Sequence, residues 1–185
     1  MTEWDILTGI PKQNLASNAG AIWSLDASPD GTSIALGCDD GSVILADVED
    51  GNFEYSRSLE RQNSRVLSLS WHPNGEILVG GCADATIRAW DTKTGRIITQ
   101  MKVNEAERPN RKQGKFMGVK RQRKMDTLVW AVKVTSDGMV VSGDSSGSLK
   151  IWESKFWSLV ESFRIHRSDI LCLAVDNVCS LCEMD

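Results

Sequence analysis

The chain has 185 residues, of which 41% are hydrophobic and 25% are charged, so it is long and apolar enough for one folded domain and unlike a disordered chain. Its net charge of −4 favours neither nucleic acid nor an anionic membrane as a general partner. No apolar run approaches the roughly 18 residues that span a bilayer, and Met1 is not followed by a basic and then apolar secretory leader. We therefore expect a folded domain with no membrane partner.

Short apolar runs separated by Gly, Pro, Asn and Asp predict β-strands along the whole chain. The middle of the sequence shows this most clearly, because a His-Pro-Asn-Gly turn at residues 72–75 and an Ala-Asp-Ala turn at residues 83–85 separate three such runs. No segment has a convincing helical pattern. In chain order, the predicted strands are the end of a strand within 1–9, then 10–15, 22–27, 33–38, 42–47, 53–59, 66–71, 77–81, 86–90, 96–103, 128–134, 139–142, 148–152, 157–163 and 170–175.

The turns recur with a fixed period. Acidic residues that close the third strand of each unit lie at positions 5, 47, 91 and 153, so the gaps are 42, 44 and 62 residues. A period of about 40–45 residues with a Trp-Asp ending is the signature of the WD repeat, which forms four strands per propeller blade. We predict an all-β WD-repeat β-propeller over residues 1–185, as an incomplete arc of about three full blades with partial blades at both ends. Such an arc is expected to be part of a longer propeller and prone to associate.

WD blades are often stabilised by a buried network of His, Ser or Thr, Asp and Trp, and this chain keeps it only in pieces. The third repeat has Ser142 and Trp152 but Ser146 where the turn aspartate is expected. Most of the tryptophans are expected in blade cores. The predicted structural blade residues are Asp40, Asp84, Trp90, Asp91, Trp152 and His166.

A basic insert over residues 103–126 explains the long third gap. Residues 102–124 carry a net charge of +7, which leaves −11 for the remainder. One interpretation is a solvated loop without regular structure, and the other is an arm that contacts RNA phosphates or docks on a protein. Residues 120–124 also fit a nuclear-import signal. The candidate contact residues are Arg111, Lys112, Lys115, Lys120, Arg121, Arg123 and Lys124.

No arrangement of residues points to catalysis, a metal or a cofactor. Both histidines lie in turns or strand lead-ins, and no nucleophile has a base at a suggestive spacing. Cys179 and Cys182 have metal-like spacing, but too few further ligands lie near them. Cys38 and Cys82 occupy matching repeat positions and are predicted to be buried free thiols. We predict a protein that is not an enzyme and has no small-molecule substrate.

Specific stretches resemble the cirhin family of WD-repeat proteins. They are residues 21–25, 37–43, 53–54 and 61–75, and the insert ending Phe-Met-Gly-Val-Lys at 116–120 followed by Leu-Val-Trp-Ala at 128–131. The resemblance covers about residues 3–175 and fades at residues 178–185. It implies a non-catalytic nucleolar scaffold of the U3 small nucleolar ribonucleoprotein and the small-subunit processome, which supports pre-rRNA processing and rRNA transcription. Its implied partners are other processome proteins, with direct contact to pre-rRNA or U3 RNA left open.

A second hypothesis is a substrate receptor of a cullin-type ubiquitin ligase, another role of WD-repeat proteins. That role usually shows an arginine two positions after the Trp-Asp pair. Here Lys93 and Leu7 occupy those positions, so the processome scaffold is favoured.

Overall fold

The computed structural model describes residues 1–49, 51–103, 127–164 and 166–175, and all of its regular elements in these ranges are strands. The strands are β1 (Thr2–Trp4), β2 (Pro11–Asn14), β3 (Ile22–Ala27), β4 (Ser33–Cys38), β5 (Val43–Glu49), β6 (Asn52–Ser58), β7 (Val66–Trp71), β8 (Ile77–Cys82), β9 (Thr86–Asp91), β10 (Ile97–Lys102), β11 (Val129–Val134), β12 (Val140–Asp144), β13 (Ser148–Glu153) and β14 (Ser158–Arg164).

These strands form three four-stranded antiparallel sheets and one hairpin, which confirms the predicted arc. The first blade is β3 to β6, the second is β7 to β10, and the third is β11 to β14, each in sequential order, while β1 pairs with β2. The register repeats from blade to blade, because Ile22 faces Cys38, Val66 faces Cys82, and each pair is followed by a bulge. The 42–44-residue period in the sequence therefore corresponds to one blade.

The blades stack face to face through their inner strands. Strand β7 contacts β3 and β4 of the first blade, and β11 contacts β7 and β8 of the second. One buried apolar cluster, which includes Leu45, Leu69 and Trp90, lies between the first two blades. A second, which includes Ile87 and Val129, lies between the second and third. The second blade thus contributes one face to each of these two cores.

Glycines allow this close stacking. A Cβ on Gly37 would lie 3.0 Å from the backbone oxygen of Val66, and one on Gly81 would lie 2.7 Å from that of Val129. Separations near or below 3.0 Å force the backbone to move, so a side chain at either position would push the next inner strand away. This explains why glycine recurs at the same place in successive repeats.

The predicted inner strand at residues 170–175 is wrong, because no strand is present there. Ile170 nevertheless lies where the first residue of an inner strand would lie. It is buried, its amide donates to the Asp144 carbonyl at 3.1 Å, and it packs on Gly143. In each of the three complete blades the inner strand pairs with the second strand of its own blade. No second strand follows Ile170 within the described residues, so its backbone has no ladder to join.

The largest fully buried side chain is that of Trp90, at the core between the first two blades. Its indole Nε1 donates to the Glu60 carbonyl at 3.2 Å. A Cβ on Gly80, which pairs with Arg88 across β8 and β9, would lie 2.8 Å from the Trp90 ring. The absence of a side chain at Gly80 is therefore what makes room for the ring.

The other two blades fill the same space differently. In the third blade Ser142 replaces the glycine, and its hydroxyl accepts a 2.9 Å hydrogen bond from the Trp152 indole. In the first blade Leu36 and Ala46 hold the two positions, and both are fully buried. A large residue on one strand is thus matched by a small one on its neighbour, which keeps the packed volume similar.

Candidate interaction surface

The insert is anchored at both ends to turns of two neighbouring blades. Before it, the Val103 amide donates to the Ala85 carbonyl at 2.9 Å. After it, the Leu128 amide donates to the Ser145 hydroxyl, and the Ser145 amide donates back to the Leu128 carbonyl, each at 2.9 Å. The described chain therefore stops at Val103 on the second blade and resumes next to the third blade. The seven candidate contact residues of the insert all lie outside the described residues.

We define the insert face as the edge of the arc that carries these turns. It comprises the turns between second and third strands, at residues 39–42, 83–85 and 145–147, and the segments that lead into the inner strands, at residues 15–21, 59–65 and 166–169. Backbone hydrogen bonds join the two sets, as when the Gln62 amide donates to the Gly41 carbonyl at 2.9 Å. The insert face is a candidate contact surface because the basic insert starts and ends on it.

In the second blade the insert face holds a partly buried ion pair. The guanidinium of Arg88 donates to both carboxylate oxygens of Asp84, at 3.1 Å and 2.6 Å, and the Thr86 hydroxyl donates at 2.5 Å. Burial alone would raise the pKa of Asp84, but the hydrogen bonds from Arg88 and Thr86 outweigh it and lower this pKa below its usual value. Asp84 therefore stays ionised beside a guanidinium that is only 6% exposed.

The third blade has an equivalent pair, which the sequence prediction missed. Ser146 occupies the expected aspartate position, but Asp144, two residues earlier, supplies the carboxylate. Asp144 is 2% exposed and accepts a 2.6 Å hydrogen bond from the Lys150 ammonium. Burial opposes ionisation, yet hydrogen bonds from Lys150 and Ser146 lower the pKa of Asp144. Because Lys150 matches Arg88 in the repeat, the cation is retained while its partner changes position.

Within its described residues, the first blade has no ion pair of the kind found in the other two blades. Asp40 accepts hydrogen bonds from the Ser42 amide at 2.9 Å and the Ser42 hydroxyl at 3.1 Å. The repeat position of Arg88 and Lys150 is held by Ile44, which is 3% exposed. The nearest cation is Arg61, whose guanidinium lies 3.4 Å from Asp40 and is 65% exposed. The first blade therefore has the carboxylate but no buried cation of its own.

Two tryptophans lie partly open on the insert face rather than in the core. Trp23 is 47% exposed, and its indole donates to Asp39 at 3.0 Å, while Arg65 forms an ion pair with the same carboxylate at 2.8 Å. The Trp130 indole donates to Asp169 at 2.9 Å. The sequence prediction that placed both side chains in blade cores is wrong for Trp23, and Trp130 is only partly buried. Their position at the second residue of an inner strand is the signal that marks them.

The remaining predicted structural residues lie apart from these pairs. Asp91 is at the opposite edge, where its carboxylate accepts the amides of Thr94 and Lys93 at 2.9 Å and 2.8 Å and these bonds lower its pKa. The His166 imidazole is exposed, and its amide donates to the Gly147 carbonyl at 3.1 Å. That His166 stabilises a blade through its side chain stays a prediction.

No group of three or more His, Cys, Asp or Glu side chains suited to a metal ion occurs among the described residues. Cys38 and Cys82 are buried free thiols there, and burial raises the pKa of each. Within the described ranges, no helix is long and apolar enough to cross a membrane.

Comparison with known proteins agrees with the repeat architecture. Residues 9–47 and 121–153 match the WD domain, G-beta repeat, and residues 53–133 match the WD40 domain of anaphase-promoting complex subunit 4. Two solved structures, one of the RRP9 WD40 repeats and one of U3-55K, superpose with a TM-score of 0.65 over 82% of this chain at 18% identity. The superposed regions make up 41% and 42% of the two solved chains. These similarities show that the fold is that of a WD-repeat propeller.

Relatives with higher identity share one name. The chain is 43% identical to U3 small nucleolar RNA-associated protein 4 of Schizosaccharomyces pombe, over 95% of this chain and 23% of the relative. It is 37% identical to the Saccharomyces cerevisiae protein of that name, over 95% of this chain and 22% of the relative. The human homolog is 35% identical over 94% of this chain and 23% of the relative. The chain thus spans less than a quarter of the length of these relatives.

Proposed function

We propose that this WD-repeat chain forms part of a non-catalytic scaffold of the cirhin type, which acts in the nucleolar small-subunit processome. In this role it supports pre-rRNA processing towards 18S rRNA and rRNA transcription. Its partners are other processome proteins of the U3 small nucleolar ribonucleoprotein, and the propeller supplies surfaces that hold them together rather than a reaction centre.

The similarity to three proteins named for association with U3 small nucleolar RNA carries this proposal. It extends over 94–95% of the chain, so it includes the insert as well as the blades. A blade pattern alone occurs in many unrelated WD-repeat proteins, but a loop outside the blades is not dictated by the fold. The open tryptophans and paired charges of the insert face fit a surface used for docking.

Affinity purification tests the assignment. A tagged full-length protein containing this segment should recover U3 RNA and small-subunit processome proteins from a nuclear extract, and should localise to the nucleolus. An untagged extract and a tagged, unrelated WD-repeat propeller are the controls. Recovery of a cullin ligase adaptor without U3 RNA would contradict the proposal and support the substrate-receptor hypothesis.

We further propose that the basic insert contributes contact energy in the assembly. Its +7 charge lies within a chain whose remainder carries −11, so the charge is concentrated in one segment. The residues that flank the segment, Val103 and Leu128, are both hydrogen-bonded to turns of the insert face. Clustered Lys and Arg can bind RNA phosphates with release of counterions, or can pair with an acidic protein surface.

Replacing four insert residues with alanine separates these contacts. If they touch phosphates, binding to poly-uridine and to a mixed-sequence RNA should weaken equally, and the salt dependence of log Kd should flatten by up to about 3 for four contacts at roughly 0.7 each. Filter binding over a salt series measures both. The four residues are Lys120, Arg121, Arg123 and Lys124.

A control variant removes the same charge elsewhere on the described surface. It should leave RNA affinity nearly unchanged if location matters rather than net charge. If the insert docks on protein instead, the insert variant should lose a partner in purification while RNA binding persists. Unchanged RNA binding, partner recovery and nucleolar localisation would contradict the proposal. The control residues, all exposed, are Lys12, Arg96, Lys155 and Arg164.

A further inference from the structure

The three blades carry different residues at one position of the third strand, and a cavity lies at this position in the first blade. In the second and third blades a cation on the third strand, Arg88 or Lys150, lies within 2.6 Å of an aspartate oxygen. In the first blade that position is Ile44, whose apolar side chain cannot reach Asp40 as a donor. The first blade therefore lacks the buried cation that its repeat neighbours contain.

A cavity of about 450 Å³ lies over Ile44 and Asp40, and we call it the first-blade cavity. Ile44 is nearly fully buried, whereas Tyr55 at the side is 59% exposed, so the cavity has an apolar floor and an open entrance. Hydroxyl, amide and carboxylate groups surround this floor. The lining residues used here are Ser17, Asn18, Asp40, Ser42, Tyr55 and Ser58.

The Asp40 carboxylate has capacity for another donor. An ionised carboxylate offers about four lone-pair sites, and at Asp40 two hydrogen bonds come from Ser42, while Arg61 lies at 3.4 Å. Asp84, by comparison, receives both nitrogens of one guanidinium, at 3.1 Å and 2.6 Å. Arg61 approaches Asp40 from the solvent side, since it is 65% exposed.

We propose that the first-blade cavity binds the side chain of an arginine from a partner protein. The guanidinium would take the place that Arg88 takes in the second blade and donate to Asp40, and the aliphatic stem would lie over Ile44. Arginine fits better than lysine because its planar fork can donate two parallel hydrogen bonds to a carboxylate while its stem packs on apolar surface. This site is independent of the proposed function and of the basic insert.

The only tyrosine in the chain reports on this cavity. Tyr55 lines the entrance, so a protein labelled with meta-fluorotyrosine gives one fluorine NMR signal from the site. Titration of the labelled 185-residue chain with acetyl-Gly-Arg-Gly-amide should shift that signal in a saturable way. The same peptide with citrulline in place of arginine has nearly the same shape without the charge, and it should shift the signal little.

Substitution of the carboxylate provides the control. Asp40→Asn should weaken binding of the arginine peptide at least about tenfold, since charge-assisted hydrogen bonds are lost. Asp30→Asn removes an exposed carboxylate from a turn at the opposite edge of the same blade, and it should leave the titration unchanged. Equal shifts with arginine and citrulline peptides, or an unchanged titration in Asp40→Asn, would overturn the proposal.

A stability measurement tests the cavity without a peptide. Ile44→Arg places a guanidinium on the first blade as Arg88 is placed on the second. If the cavity is a cation site, Asp40→Asn should lower the urea midpoint far more in the Ile44→Arg background than in the wild type. Equal effects of Asp40→Asn in the two backgrounds would show that the arginine does not reach Asp40, and would overturn the proposal.

Discussion

Replacing Trp90 with alanine is expected to lower the free energy of unfolding by about 3–5 kcal/mol, the usual range for a buried tryptophan. The side chain is fully buried between the first and second blades, where its ring lies beside Gly80 in the same apolar cluster as Leu69. Gly80 has no side chain that could move into the space left by the ring. Urea unfolding followed by far-ultraviolet circular dichroism measures the loss without depending on tryptophan fluorescence.

Trp23→Ala is the matched control. This side chain is 47% exposed and makes one hydrogen bond, to Asp39, so its removal should change the free energy of unfolding by less than about 1 kcal/mol. Similar losses in the two variants would contradict the assignment of Trp90 as the central packing residue of the arc.

Asp144→Asn is expected to lower the free energy of unfolding by about 3–5 kcal/mol, because it leaves a buried ammonium without its counter-charge. Lys150 is 8% exposed and its nitrogen lies 2.6 Å from the Asp144 carboxylate. Denaturant unfolding at neutral pH measures the loss.

The pair of Asp144 and Lys150 also makes the stability of the protein depend on pH. The folded protein holds the pKa of Asp144 below its ordinary value of 3.8, since bonds from Lys150 and Ser146 outweigh burial. The carboxylate therefore contributes its full stabilisation above pH 3.8, and loses it as the pH falls through the lowered pKa of the folded state. The difference in stability between wild type and Asp144→Asn should narrow over that interval. A difference that stays constant there would contradict the ion pair.

The first blade supplies a control for this prediction. Its residues Cys38 and Ile44 occupy the positions of Asp144 and Lys150, and both are buried. A double variant, Asp144→Cys with Lys150→Ile, should therefore recover most of the stability that Asp144→Asn loses, as apolar replacement of a buried ion pair often does. A double variant as unstable as Asp144→Asn would show that the third blade cannot adopt the apolar arrangement.

The sequence by itself determined the blades. The period of the turns and the acidic residues at 5, 47, 91 and 153 located the repeats, and predicted bounds such as 22–27 agree with the observed strands. The repeats can be located from sequence because turn residues and strand alternation are local properties that recur in each repeat. The insert was also apparent from sequence alone, as an interruption of the period with reversed charge.

Only the tertiary structure decided which side chains are buried in each blade and which polar groups pair there. The carboxylate of the third blade comes from Asp144 and not from position 146, because the partner of the Lys150 ammonium depends on which carboxylate lies next to it in three dimensions. Trp23 and Trp90 have the same chemistry, but one lies at an open edge and the other between blades. Residues 170–175 have the composition of a strand without forming one, because a strand requires a neighbour on which to form its hydrogen-bond ladder.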